Sequence, residues 1–401
     1  MADHIPFVSS DAACRLVAKH YADSKYVRVP LNEASHFRPR LPANISLWVD
    51  PQVDGLDDLR HRRARKNAST KDVKATPWYE CIDRFPHATR LAEDAFRERP
   101  DKRIVDEFVE DVLGKCAPAS PRWITVPQLP VGTGTSRNKV NRQLASAAGA
   151  WKGKSGCSAS FVLPLIFTHQ GQYKLKSQRT PNLRAASTCY KASQAEVVWV
   201  VDASLDDESG AITLRNERFP AVVSLHMELA EKLPEAIRVA GPYWGLNLVL
   251  WARGLVDYPA IGIGNAYQYS LSGGPMRPPR ERLPLGPLRR RCGVDPQVGG
   301  WLDHVLSRLG RSHPAHAELE RMRRYFTALR PRPSAREQVA AFYKRWFDSI
   351  ADSPPEGRAL SLFQDLSAAY ALGKPLGPIP GERGLARRPE AVAEPLMLSC
   401  L

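Results

Sequence analysis

Six short apolar runs mark the first two-thirds of the chain, at residues 45–49, 123–126, 161–167, 197–201, 238–241 and 260–264. Most are rich in Val, Ile, Trp or Phe, and their apolar character is continuous rather than alternating. That is the pattern of strands covered on both faces, as in parallel sheets flanked by helices. Helix-compatible stretches at 140–150 and 246–255 fall between them. The clearest unit is a strand at 238–241, a one-face apolar helix at 246–255 and a second strand at 258–264, the span of one βαβ crossover. Residues 26–271 match the ~250 residues that a (β/α)₈ barrel uses. The expected fold class is therefore α/β, a (β/α) barrel, with a doubly wound parallel sheet as the alternative that yields the same runs.

Residues 273–288 open on Gly273 and Gly274 and carry prolines at 275, 278, 279, 284 and 287. Proline removes amide donors and biases its predecessor toward extended backbone, so this segment reads as a linker or ordered arm. It divides an α/β domain, 1–272, from a helical C-terminal region, 289–375, with 376–401 expected as a flexible tail. In the helical region, 315–329 and 335–350 show apolar residues at spacings of three and four, with Leu319, Met322, Tyr325, Phe326 and Leu329 on one face.

With 43% apolar and 25% charged residues in 401, the chain has a globular composition, which excludes disorder of the whole. Its longest apolar stretches fall short of the ~20 residues of a membrane span, so no membrane partner is expected. The first residues lack the basic start and apolar run of a secretory leader, and the expected location is cytoplasmic. Seven scattered cysteines fit neither a disulfide framework nor a zinc ribbon and read as buried thiols. Gly262-Ile-Gly264 lacks the third glycine of a dinucleotide fingerprint, and Gly132-Thr-Gly134 lacks the lysine of a phosphate-binding loop, so no nucleotide cofactor is assigned.

In either α/β architecture the chemistry gathers beyond the carboxyl ends of the strands. The residues there are polar: Asp50, Gln128, His169, Asp202, Tyr243 and Asn265. Of these, Asp50, Gln128, His169, Asp202 and Asn265 form the candidate catalytic rim, with Asp50 or Asp202 as base or nucleophile and His169 as proton carrier. Asp50 and Asp202 also suit a helix cap or an Asx turn, and His169 a bond to a loop carbonyl. A divalent metal would require Asp50, His169 and Asp202 to converge, and no ligand spacing supports one. His313-Pro-Ala-His316 reads as a helix start. Ser272, Gly273 and Gly274 follow the last strand, where barrels often hold phosphate on backbone amides.

Charge sharpens the picture. Fifty-seven Lys and Arg against 42 Asp and Glu leave +15, so polyanions are the expected partners. Arg62, Arg63, Arg65 and Lys66 follow the first run, Arg137, Lys139 and Arg142 the second, and Lys174, Lys176, Arg179 and Arg184 the third. Aromatic residues interleave with them, as base stacking requires. A further cluster, Arg277, Arg280, Arg282 and 289–291, lies on and beside the arm, where it would track a phosphate backbone. The sequence thus points to an enzyme acting on nucleic acid or a nucleotide at the rim by hydrolysis or base or glycosyl transfer. A non-catalytic nucleic-acid-binding or scaffold protein and a phosphometabolite enzyme are the alternatives, so the partner is nucleic acid or a phosphorylated small molecule.

Overall fold

The computed structural model describes residues 3–53, 56, 84–85, 87, 101–132, 135–203, 205, 218–263, 282–293, 297–327, 334–379 and 388–401. Eight parallel strands close into a barrel: β1 (Ile5–Phe7), β2 (Tyr26–Pro30), β3 (Ser46–Asp50), β4 (Trp123–Thr125), β5 (Ser160–Phe167), β6 (Ala195–Asp202), β7 (Ile237–Ala240) and β8 (Tyr258–Gly262). Closure is made by β8 returning to β1 through Ile5↔Ala260, Pro6↔Ile261 and Phe7↔Gly262. This ring excludes the doubly wound open sheet. All six apolar runs are strands. Two strands lie outside them: β1 is three residues long and contains Pro6, and β2 is interrupted by Arg28.

The helices that cover the barrel carry their instructions locally. Helix α1 (Asp11–His20) starts where the Ser10 hydroxyl accepts the Ala13 amide at 3.2 Å, and it buries Ala13, Cys14, Leu16 and Val17 at spacings of three and four. One turn, α2 (Ala34–Phe37), precedes β3. Helix α3 (Lys102–Cys116) is capped by Asp101 and buries Val105, Phe108, Val109, Val112 and Cys116. Helices α4 (Thr135–Ser155), α5 (Lys176–Ser193), α6 (Arg218–Lys232) and α7 (Leu246–Ala252) follow β4, β5, β6 and β7 in turn.

Helices α4 and α5 meet at Gly149, where an added Cβ would overlap the backbone carbonyl of Ala192. Gly149→Ala is therefore expected to cost about 1–3 kcal/mol through forced separation of the helices. Gly153, four residues on in the same helix, faces open space. Gly153→Ala should instead stabilise by up to about 1 kcal/mol, because alanine gives up less backbone freedom than glycine on folding. Urea unfolding of the two variants side by side checks this opposition of signs.

Beyond β8 the chain makes an excursion and then completes the barrel. A two-stranded antiparallel hairpin, β9 (Arg282–Leu285) with β10 (Arg290–Gly293), leads to α8 (Gln297–Arg308) and α9 (Pro314–Thr327). These elements enclose a small second core around Leu283, Leu285, Trp301, Val305 and Leu319. Helix α10 (Ala335–Ala351) then returns to the barrel wall. The Phe347 ring lies tilted against Trp251 of α7 with centroids 4.4 Å apart, and the Tyr21 hydroxyl after α1 donates to the Ala340 carbonyl at 2.7 Å. Lying between α7 and α1, α10 takes the place that the helix following the eighth strand fills in a (β/α)₈ barrel. Helices α11 (Arg358–Gly373) and α12 (Ala393–Ser399) add to the same core through Leu362, Leu366 and Leu396.

The expected C-terminal helices are present, and α10 to α12 share the barrel's hydrophobic core. Two expectations about this half of the chain are corrected. The chain end is not a flexible tail: α12 buries Ala393, Leu396 and Ser399, and Arg253 donates to the Ser399 carbonyl at 2.9 Å. Residues 282–285 of the supposed arm form a strand, where Pro284 is tolerated because a two-stranded sheet consists of edges. Residues 273–281 lie outside the described residues. Among the described residues, no helix is long and apolar enough to cross a membrane.

Candidate active site

The barrel interior is built from aromatic rings. Phe7, Trp48 and Trp199 stand on β1, β3 and β6, strands that do not pair with one another, yet their rings meet edge to face. The centroids are 5.3 Å apart for Phe7–Trp48, 5.5 Å for Phe7–Trp199 and 5.3 Å for Trp48–Trp199. Rings from non-adjacent strands meet only on the barrel axis, so this triangle is a plug across the bore. The indole donors are satisfied by the Thr125 hydroxyl at 2.8 Å for Trp48 and the Gly241 carbonyl at 2.7 Å for Trp199.

Side chains alternate along a strand, so Asp50, two residues after Trp48, shares its inward face and sits one layer nearer the carboxyl ends. Its partner is Arg28 of β2. The Arg28 Nε donates to Asp50 Oδ2 at 3.0 Å, with a second bond from the guanidinium to the same oxygen. The guanidinium lies 4.9 Å from the centroid of Phe7 and 5.8 Å from that of Trp199. The other oxygen, Oδ1, accepts the Gln52 amide at 3.1 Å, where Gln52 adopts a φ of 55°. The result is an ion pair laid on an aromatic floor at the mouth, with Arg28 5% and Asp50 2% exposed. Hydrophobic replacements for such a pair often leave stability unharmed, so stability alone is weak ground for it. Arg28 was not among the residues singled out from the sequence, although a cation in the middle of Tyr-Val-Arg-Val-Pro was a visible signal.

The other described rim residues are engaged by loop groups. The Gln128 side chain donates to the Asn141 carbonyl at 3.0 Å, and the Asn141 amide brackets Leu129 through two 2.8 Å bonds, which fastens the β4–α4 loop to α4. His169 is exposed and caps a short turn, with Gln172 Oε1 accepting the Thr168 amide at 2.7 Å. Asp202 lies three residues beyond Trp199, so alternation sends its side chain away from the bore. There the Tyr173 hydroxyl of the β5–α5 loop donates to its carboxylate, and the Asp202 amide donates to the Tyr243 hydroxyl at 2.6 Å. Asp50 is thus the one described rim carboxylate on an inward face, and Asn265 lies outside the described residues. Asp50, His169 and Asp202 do not assemble into a metal site; among the described residues no group of His, Cys, Asp or Glu does.

The basic residues separate in the same way. Lys174 and Lys176 lie just beyond β5, and Arg137 is held near the mouth by the Pro130 carbonyl at 3.4 Å. Lys139 is exposed on α4 and Arg184 on α5. Arg142 lines a 620 Å³ cleft between α3 and α4 with Asp106, Glu110, Trp151 and Lys154. Arg179 is committed to Glu228 of α6 at 2.8 Å. Arg62, Arg63, Arg65 and Lys66 lie outside the described residues, as do Ser272, Gly273 and Gly274.

The arginines at 289–291, expected to face a phosphate backbone, are instead internal glue. Arg289 bonds Asp365 at 2.8 Å over Phe342 and Trp346, Arg290 lies 4.1 Å from the centroid of Trp301, and Arg291 lies 4.7 Å from that of Trp244. Flat guanidinium groups stack on aromatic faces, and the hairpin is wedged between the two cores, so both of its faces are covered. The buried thiols Cys14, Cys189 and Cys400 are poor nucleophiles: burial pushes Cys14 and Cys189 up to about 11 and Cys400 to about 12.

No protein-family model matches this chain, and no curated protein matches it. Among solved structures, it is similar to active domain 2 of a thermostable chitinase from Pyrococcus furiosus, solved as catalytic-site mutants complexed with chito-oligosaccharides. The match has a TM-score of 0.34 and 11% sequence identity, and covers 68% of this chain and 89% of that one. The barrel assignment rests on the chain's own closed ring of strand pairings.

Proposed function

We propose that this protein is a barrel enzyme that acts on nucleic acid or a nucleotide at the mouth formed by the carboxyl ends of its strands. The observation that carries the reading is the buried Arg28–Asp50 pair on its aromatic floor. Asp50 serves as proton acceptor or nucleophile, and Arg28 holds an anionic group of the substrate by the planar fork that suits phosphate. The net charge of +15 and the cations near the mouth favour a phosphate-bearing substrate. A phosphorylated small molecule fits the same couple.

The test offers the full chain a panel of mononucleotides, single-stranded RNA and DNA, and duplex DNA, with base release and phosphodiester cleavage followed by mass spectrometry. The double variant Arg28→Met/Asp50→Leu is expected to lose turnover by at least about 10²-fold, the scale of one acid–base group, while melting as the parent does. Equal turnover in a folded double variant would remove the pair from the mechanism.

A second reading, a non-catalytic nucleic-acid-binding protein, draws on the engagement of Gln128 and His169 in their own loops and of Asp202 with Tyr173 and Tyr243 of the neighbouring ones. Under it no substrate of the panel is converted, and the double variant binds oligonucleotides as the parent does.

A further inference from the structure

We propose that the cleft between α8 and α9 is a docking groove for the phosphodiester backbone of nucleic acid, set apart from the barrel mouth and independent of the chemistry proposed there. The cleft has a volume of 1290 Å³ and is lined by Arg311, Arg321, Arg323 and Arg324 against two carboxylates, Asp303 and Glu320. Its frame is rigid, because Trp301 and Val305 of α8 and Leu319 of α9 pack into the second core beneath it. The cations face outward from that frame, and all four arginines are exposed.

The ion pairs within the groove leave it available. Arg323 approaches Asp303 at 3.0 Å and Arg324 approaches Glu320 at 3.4 Å, but these are exposed pairs, weakly held in water and exchangeable for a phosphate. Among the described residues, Arg311 and Arg321 form no ion pair. Arg321 and Arg324 are one helical turn apart on one face of α9, so they present successive forks along the groove.

The lining also says what kind of anion fits. Every lysine or arginine in it is an arginine, whose fork binds phosphate oxygens bidentately. Among the described residues, the lining holds no Phe, Tyr or Trp, and His316 is its one aromatic ring, so base stacking is a minor part of binding, which falls mainly on the backbone without reading sequence. The volume exceeds the ~300–1,000 Å³ of small-molecule pockets, and no buried polar group is aimed into it to fix one small ligand. An extended polyanion fills such a space better than a free phosphate.

Fluorescence anisotropy of the full chain with labelled 20-nucleotide single-stranded RNA, single-stranded DNA and duplex DNA, across a salt series, tests the groove. The wild-type chain is expected to bind all three with similar affinity. Arg311→Ala/Arg321→Ala should flatten the slope of log affinity against log salt by about two units on duplex, at ~0.9 for each phosphate that is no longer neutralised. Arg311→Glu/Arg321→Glu should weaken binding at least tenfold. Neither pair of changes should alter the melting temperature, since both side chains are exposed and lack ion partners. An unchanged slope and affinity in the folded double variants overturns the proposal, as does absence of binding by the wild-type chain at low salt. Displacement of the oligonucleotide by poly-glutamate at equal charge concentration also overturns it, and assigns the groove to an acidic protein segment. Because binding alone is read, the outcome is separate from whether Arg28 and Asp50 support turnover.

Discussion

Replacing Asp50 alone by leucine is expected to destabilise the protein by about 3–5 kcal/mol, whereas replacing Arg28 and Asp50 together by methionine and leucine returns stability to within about 1 kcal/mol of the parent. The single change leaves a guanidinium buried over Phe7 and Trp199 with its carboxylate removed, and also strips the Gln52 amide of its acceptor. The double change removes both desolvated charges and supplies apolar volume to the top of an already aromatic bore. A double-mutant cycle by urea unfolding reads this directly, because the coupling between the two positions should reach several kcal/mol. Additive effects would mean that the pair stabilises the fold outright, and would weaken the argument that the couple is kept for chemistry.

Acid is expected to unfold the protein earlier than its carboxylates alone dictate, because two histidines are locked in the neutral form. His4 is fully buried, edge-on to Tyr21 at 5.1 Å and to Phe347 at 4.8 Å. Burial first, and the nearby Lys344 next, hold its pKa down to about 3, against an opposing pull from Asp23. His226 of α6 is fully buried too, and burial followed by the charge of Arg238 lowers its pKa to about 3. Neither ring nitrogen of either residue has a hydrogen-bond partner.

In the unfolded chain both imidazoles titrate near 6.5, so between about pH 6.5 and pH 3 the unfolded state binds more protons than the native one. Stability is therefore complete above that window and falls as pH drops through it, by ~1.4 kcal/mol per pH unit for each histidine. At pH 5 the loss is about 2 kcal/mol for each, a large share of the ~5–15 kcal/mol that a folded domain holds. Urea midpoints between pH 5 and pH 7.5 should show this slope in the parent. His4→Phe/His226→Leu should flatten it, and an unchanged slope in that variant would place the acid sensitivity elsewhere.

The periodicity of the chain determined more of the fold than of the site. Continuous apolar runs marked six of the eight strands because strands buried on both faces leave that trace whatever lies around them. The excess of basic residues, and the spacing that makes 335–350 helical, were likewise local facts. β1 and β2 escaped because three residues containing Pro6, or five interrupted by Arg28, are too short and too broken for a period to register. The site was less legible. That a polar residue follows each strand is visible in sequence, but which way it points depends on its parity relative to an inward neighbour, and that neighbour is known only once the strands close. Trp48 and Trp199 met on the axis, and their meeting turned Asp50 inward and Asp202 outward.

Tertiary structure alone decided three further matters. It set α10, some seventy residues downstream of β8, into the eighth helical position, since the chain carries no local mark of which gap in a wall a helix will fill. It also gave the arginines at 289–291 aromatic faces instead of solvent, because a charge is read from sequence but its burial is not. Finally, it brought Arg28 to Asp50 across twenty-two residues, a pairing created by strand register: Arg28 lies beside Trp48, and Pro30 beside Asp50. Composition and periodicity are sums over near neighbours in the chain, whereas a site is a coincidence of distant ones, and only the closure of the barrel brings those together.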